Sequence, residues 1–305
     1  MQSADPAATT RPPGSGGPPR IFAGYVVDLD GTVYLGDEPL PGAVDALARI
    51  RAAGSRVVFL TNNPLRSAAE YAERLVRLGI QADEREVVTP LAVLTSYLRQ
   101  HHSGAPVLTV SEPLVDQTLQ KAGISVTTEP AEAGVVVVSF DRTFDYVKLL
   151  RAFRAVHRRG AAIIATNPDP FCPSPDGGLP DCAAMLAAVE ACTGAKAEAV
   201  LGKPGSQMAA EVRSRLAVPA SDAAMVGDRI LTDVAMSRAL GMTSILVLSG
   251  ATTPDDVAAS SVQPDYVIDN LTGLLPPDSP DNPENPESPE SPECPVPPAS
   301  PREPQ

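Results

Sequence analysis

The stretch Val26-Val27-Asp28-Leu29-Asp30-Gly31-Thr32 carries two carboxylates, two residues apart, at the end of an apolar, β-branched run. Alternate strand side chains point the same way, so Asp28 and Asp30 are expected to project together from the strand's C-terminal end. That end is where open α/β sheets bind ligands. Two carboxylates this close repel, and a cation or a shared proton must relieve them. Gly31 permits the sharp turn that follows. An Asp-rich turn without chemistry is the competing reading of this segment alone.

Three further stretches end in groups that could join such chemistry. Phe59-Leu60-Thr61-Asn62-Asn63 offers a hydroxyl and free backbone N–H groups at a strand-to-helix transition, which suit phosphate oxygens; an Asx or Ser/Thr turn is the equal alternative. In Val200-Leu201-Gly202-Lys203-Pro204, Pro204 can start a helix and fix where Lys203 points. Met225-Val226-Gly227-Asp228-Arg229-Ile230-Leu231-Thr232-Asp233 adds two carboxylates after another strand, with helix capping the alternative role for Asp233.

The elements that must position these groups alternate regularly. FAGYVVDL and SRVVFLT read as strands, and PGAVDALARIRAAG between them has helical spacing with a stop at Gly54. A capping box at Ser67–Glu70 opens a helix running to Gly79, and Thr89-Pro90 reads as an N-cap followed by a first-turn proline. Then follow APVLTV, a helix to Gly123, GVVVVSF, a helix over 146–159, AAIIAT and a helix to Gly194. AAMVGD, a helix to Gly241, SILVLS and DYVID close the pattern. Strands alternating with helices imply βαβ units and parallel sheets covered on both faces, so the fold class is α/β.

The chain has 305 residues, 43% of them apolar, and a net charge of −13. That is enough apolar content for a sizeable core, and the acidity argues against sequence-independent nucleic-acid binding. No run approaches the ~20 apolar residues of a membrane span, and the N-terminus lacks the apolar segment of a secretory signal, so a cytoplasmic protein is expected. Four cysteines without a CxxC pair indicate neither zinc nor a disulfide framework. Of the 33 prolines, 17 fall in residues 1–19 and 275–305, and the latter segment alone carries −6 of the charge. Both ends are therefore expected to be disordered tails. In the second, prolines recur every third residue from Pro280 to Pro304, which would align them along one edge of a polyproline II helix.

Taken together, DLDGTVYLGDEPLPGA, FLTNNP, LGKPGS and VGDRILTD resemble, in order, the four motifs of the haloacid dehalogenase-like phosphatase superfamily. More narrowly, they are similar to its p-nitrophenylphosphatase, phosphoglycolate phosphatase and NagD-like members. The resemblance covers about residues 21–272. It implies a Rossmann-like core with an inserted α/β cap, and places the core at 20–83 and 185–274 and the cap at 84–184. It also implies that Asp28 is the nucleophile, forming an aspartyl-phosphate, and that Asp30 is the general acid and base. Mg²⁺ would be held by the Asp28 carboxylate, the Asp30 backbone carbonyl and Asp228, steadied from further out by Asp233. Thr61, the amide of Asn62, Asn63 and Lys203 would bind the transferring oxygens. The implied substrate is a small phosphorylated metabolite, with sugar and polyol phosphates ahead of phosphoglycolate, nucleotides and pyridoxal phosphate. A homodimer through the cap occurs in relatives.

The loop from Thr166 to Gly178 matches the family's substrate-specificity loop. Cys172 stands where vitamin-phosphate-specific relatives place a histidine, although a plain loop cysteine reads as well. Relatives commonly carry Pro-Gly-x-Gly before the next helix, whereas this chain has Pro180-Asp181-Cys182-Ala183. If Asp181 faces the cleft it would disfavour anionic leaving groups; if it caps the following helix it says nothing of substrate. A non-catalytic phosphate sensor is the competing class, opposed by the completeness of the four motifs.

Overall fold

The computed structural model describes residues 16–174 and 177–276. Its first sheet is six-stranded and parallel, in the order Tyr266–Ile268, Thr243–Val247, Ala223–Gly227, Gly24–Asp28, Arg56–Leu60 and Val87–Val88. The chain enters at the central Gly24–Asp28 strand and builds outward on both sides of it. The C-terminal ends of the 24–28, 56–60 and 223–227 strands therefore lie side by side, where such sheets open a crevice. The strands are buried on both faces, so their sequences read as continuous apolar runs. Tyr25, Val27 and Phe59 pack on one face with Leu47, Ile50, Tyr71 and Leu75. Val26, Val58 and Leu60 pack on the other with Met208, Val212 and Leu216.

Helix boundaries follow local chemistry. The helix Ala68–Arg77 starts from Ser67, whose hydroxyl accepts from the Glu70 N–H while the Glu70 carboxylate accepts from the Ser67 N–H. The helix Pro90–His101 starts from the Thr89 cap with proline in its first turn. Asp145 caps Tyr146–Arg159, which ends at a left-handed Gly160.

A second parallel sheet has the order Ala199–Val200, Ala162–Ala165, Val135–Val138 and Val107–Val110. The strands divide differently from the expected limits of 84 and 184. Val87–Val88 pairs with Arg56–Leu60 in the first sheet. The helix Cys182–Thr193 packs with the second sheet's core through Cys182, Met185 and Val189, and Ala199–Val200 pairs with Ala162–Ala165. Two-residue strands carry no periodicity of their own, and their sheet is chosen by the edge that has unpaired backbone groups.

The N-terminal boundary moves as well. Gly16, expected in a disordered tail, donates its N–H to the Val267 carbonyl at 3.0 Å on the open edge of the first sheet, and Pro18 is buried. Residues 1–15 and 277–305, with the proline repeat and Cys294, lie outside the described residues. At the start of the second expected tail, Leu275 is buried in the first sheet's core. Two short hairpins complete the fold, Tyr34–Leu35 with Glu38–Pro39 and Phe171–Ser174 with Gly177–Pro180. No described helix is long and apolar enough to cross a membrane.

Candidate active site

Asp28 ends its strand buried at the sheet crevice, with its Oδ1 in contact with Lys203 Nζ and its Oδ2 accepting from Thr32 Oγ1 at 3.3 Å. Lys203 is 3% exposed and also donates to Asp233 Oδ1 at 2.8 Å. Burial alone would push this lysine down, but Asp233 and Asp28 outweigh it and hold the ammonium well above its ordinary range. Burial pushes Asp28 up strongly, against the pull of Lys203 and with the help of Asp233 and Asp228.

Asp228 follows Ala223–Gly227 and is 1% exposed. Its Oδ2 accepts from the Ala251 N–H at 2.6 Å, while its Oδ1 is buried and has no hydrogen-bond partner. Glycines crowd it: a Cβ on Gly31, held at φ +87°, would sit 2.6 Å from Asp228 Oδ2, and one on Gly250 would also overlap the carboxylate. Ligand oxygens of Asp28, Asp228 and Asp233 lie within 4.8 Å of one another. Three carboxylates against one ammonium leave the cluster short of positive charge, and burial with the nearby Asp233 pushes Asp228 up to about 6. The oxygens of Asp233 accept from Lys203 Nζ and from the Arg229 N–H at 3.0 Å, so both are engaged.

Asp30 lies one turn beyond Asp28 with a buried Oδ2 that has no partner. Burial raises it, opposed by the more distant Arg74 and Arg66. A carboxyl group in that state carries its proton at a higher pH than an ordinary aspartate and can hand it over.

Thr61 Oγ1 accepts from the Asn63 N–H at 3.0 Å, beside the buried Tyr71 hydroxyl. Asn63, expected to bind phosphate, lines the site, where its Nδ2 donates to Cys172 Sγ at 3.4 Å and its Oδ1 accepts from the Leu65 N–H. One of the two Nδ2 hydrogens is thus engaged with the loop. The Asn62 side chain is committed too: Oδ1 accepts from the Lys203 N–H at 2.7 Å, and Nδ2 donates to Asp169 Oδ2 at 2.8 Å. Among the described residues, the Asn62 backbone N–H is the amide left without an acceptor at this turn.

Asp28, Asp30, Thr61, Asn62, Asn63, Lys203 and Asp228 all line one cavity with Cys172 and Asp181. The cavity is narrow, about 30 Å³, room for one or two waters. Asp181 resolves both of its readings at once. Its Oδ1 caps the helix Cys182–Thr193 by accepting from the Cys182 N–H at 2.5 Å, and the buried carboxylate still faces the cavity. Burial pushes it up to about 7. Burial likewise raises the Cys172 thiol, which disfavours a thiolate.

Asn167, Asp169 and Arg229 join the site without having been singled out in the sequence. Asn167 Nδ2 donates to the Asn62 carbonyl at 2.9 Å, tying the second-sheet loop to the first. Arg229 donates to the Phe171 carbonyl at 2.9 Å and lies over its ring, 4.8 Å from the centroid. The available signal was the Asn167-Pro168-Asp169-Pro170 run, an Asp held between two prolines in a loop otherwise read for its cysteine.

With this geometry in place, known proteins show the same plan. The haloacid dehalogenase-like hydrolase family matches residues 25–125, and a HAD-hydrolase-like family matches residues 200–274. Sugar-phosphatase AraL of Bacillus subtilis is 36% identical over 82% of this chain and 90% of its own length. The solved 4-nitrophenylphosphatase of Thermotoga maritima superposes with a TM-score of 0.77 at 33% identity, covering 83% of this chain and 96% of that one. A glycerol phosphate phosphatase of Mycobacterium tuberculosis, solved in complex with magnesium, gives 0.76 at 32% identity over 83% of this chain and 76% of that one. Motif order, strand-end placement and these likenesses agree, and the chain belongs to the haloacid dehalogenase-like hydrolase family.

Proposed function

We propose that this chain is a Mg²⁺-dependent phosphatase acting on a small phosphomonoester, with Asp28 carrying the phosphoryl group between two half-reactions. The observation that supports this most directly is Asp28 in the grip of Lys203, with the partnerless Oδ1 of Asp228 beside it.

The residues fit a magnesium ion. Hard carboxylate oxygens suit Mg²⁺, and an orphaned buried oxygen at Asp228 is what a missing ligand partner leaves. The Asp28 carboxylate, the Asp30 carbonyl and Asp228 would hold it, while Asp233, both oxygens engaged, steadies Lys203 and the Arg229 backbone. When bound, the ion supplies positive charge beside the transferring phosphoryl group.

In the first half-reaction an Asp28 oxygen bonds to phosphorus as the ester P–O bond breaks, and Asp30 gives its proton to the departing alkoxide. In the second, Asp30 takes a proton from water as that water attacks phosphorus, releasing phosphate and freeing Asp28. Lys203 Nζ, the Thr61 hydroxyl and the Asn62 N–H face the phosphoryl oxygens and stabilise charge as it spreads. The loop carrying Cys172 and Asp181 closes over the site and excludes water that would compete.

Sugar and polyol phosphates are the substrates this reading favours. The relatives above are named for sugar, 4-nitrophenyl and glycerol phosphates. In addition, the side of the cavity lined by Asp169 and Asp181 presents acidic groups and, among the described residues, offers no cation of its own to a carboxylate on the leaving group. The test is phosphate release across a panel of phosphorylated metabolites with Mg²⁺, beside Asp28→Asn. One substrate standing far above the rest, and lost in the variant, supports the reading. Undiminished turnover by Asp28→Asn sinks it.

A further inference from the structure

The Asn62 side chain stands at a junction that the chemistry above does not use. Its Oδ1 accepts from the Lys203 N–H at 2.7 Å, and its Nδ2 donates to Asp169 Oδ2 at 2.8 Å. The same Nδ2 lies 3.4 Å from the Lys203 carbonyl, and Asn167 grips the Asn62 backbone carbonyl at 2.9 Å. Asn62, Asn167, Asp169 and Lys203 are all buried, so these bonds are not shared with bulk water. Packing makes the junction tight: a Cβ on Gly202 would sit 2.7 Å from both Asn62 Oδ1 and the Asn167 Cβ. Lys203 reaches Asp28 and Asp233 from a backbone whose own N–H is held by Asn62, while the Leu201 N–H on one side donates to the Ala165 carbonyl and the Gly205 N–H on the other to the Gly202 carbonyl.

Asp169 belongs to the loop that follows the second-sheet strand Ala162–Ala165, whereas Asn62 follows the first-sheet strand Arg56–Leu60. The loop is rigid on its own side, since the Asp169 N–H donates to Asn167 Oδ1 and its carbonyl accepts from the Ala183 N–H. A carboxylate placed by one unit therefore orients an amide of the other, and that amide orients the lysine's backbone. We propose that Asp169 is a positioning residue: seating the second-sheet loop on Asn62 sets the Lys203 backbone, so that the ammonium is aligned on Asp28 only when the loop is down. This rests on the phosphatase reading, because the consequence is expressed in the turnover of that site.

The relay acts on the machinery common to every substrate, unlike a contact with one leaving group. Removing the acceptor with Asp169→Ala takes away the shortest bond of the Asn62 Nδ2 and leaves the amide held by Lys203 alone. Asp169→Asn keeps a carbonyl oxygen at the same place and can still accept from Asn62 Nδ2.

The experiment compares wild type, Asp169→Ala and Asp169→Asn with Mg²⁺, using 4-nitrophenyl phosphate and glycerol phosphate as probes. Hydrogen exchange is followed at the Lys203 amide. The expected result for Asp169→Ala is a kcat lower by about 10- to 100-fold on both probes, with KM within about twofold, the scale set by a small misplacement of a catalytic group. Exchange at the Lys203 amide should quicken, and Asp169→Asn should restore both rate and protection. Unchanged kcat and unchanged exchange in Asp169→Ala overturn the relay. So does a loss confined to one probe, which makes Asp169 a leaving-group contact instead. Failure of the phosphatase reading shows differently, as a wild type that releases no phosphate while the exchange result still reports whether Asp169 orders the lysine loop.

Discussion

Lys203 Nζ lies 2.8 Å from Asp233 Oδ1, both side chains almost fully buried, so a residue that follows the second-sheet strand Ala199–Val200 meets one that follows the first-sheet strand Ala223–Gly227. A cation placed there offsets two carboxylates at once. Deleting it with Lys203→Met leaves Asp28 and Asp233 without the cation they share, with only the Thr32 hydroxyl and the Arg229 N–H as hydrogen-bond partners. Breaking a buried pair from one side costs about 3–5 kcal/mol, and urea unfolding at pH 7.5 without added metal should show a loss of that order. Phosphate release should fall to background in the same variant.

Asp181 gives a pH dependence of known sign. Its ordinary value of 3.8 rises to about 7 in the folded chain, chiefly through burial. The folded state thus holds a proton that the unfolded chain releases. The group's contribution is fully present below about pH 4 and is lost as pH climbs toward 7, a change of up to about 4 kcal/mol. Asp181→Asn keeps an oxygen for the Cys182 N–H and removes the titration. The variant should gain stability over wild type at pH 8 and show little difference at pH 4, read as Tm across that range.

Magnesium should stabilise the fold by mass action, by about 2.7 kcal/mol at a hundredfold excess over its dissociation constant. Asp228→Asn should abolish that increment. Gly250→Ala should weaken it without replacing a ligand residue, because the added methyl would displace the Asp228 carboxylate. Thermal melts with and without EDTA make the comparison, and an unchanged Mg²⁺ increment in both variants contradicts the proposed ligand set.

Arg229 holds the Phe171–Ser174 arm of the second hairpin through one hydrogen bond and its ring. Arg229→Ala removes a contact worth about 0.5–1 kcal/mol at a partly exposed site. Global Tm should barely move, whereas limited proteolysis near residues 171–180 should accelerate.

Much of this was legible from residue order alone. The apolar runs ending at Asp28, Leu60, Gly227 and Val247 are strands because buried parallel strands need apolar side chains on both faces. The Ser67–Glu70 box and the Thr89-Pro90 step mark helix starts through bonds made within four residues. What stayed hidden depends on partners far along the chain. Val87–Val88 and Ala199–Val200 are strands only because a neighbouring edge accepts them, and each joins a different sheet from the one expected. The hairpin arm Phe171–Ser174 contains a proline and reads as loop. At the site, Asp28, Asp30, Lys203 and Asp228 sit in recognisable strings. Asp169 sits 107 residues from the amide it accepts, and no local pattern announces such a bond.

The narrowness of the cavity over Asp28 has a kinetic corollary. Only about 30 Å³ beside Asp28 is open to water, so little water stands at the nucleophile to compete with a bound ester. We predict that the side of the cavity lined by Asp169, Phe171, Cys172 and Asp181, its roof, shifts as substrate enters and products leave. Adding a viscogen such as sucrose slows motions of that kind without altering bond chemistry, so the roof enters the turnover clock alongside the nucleophile.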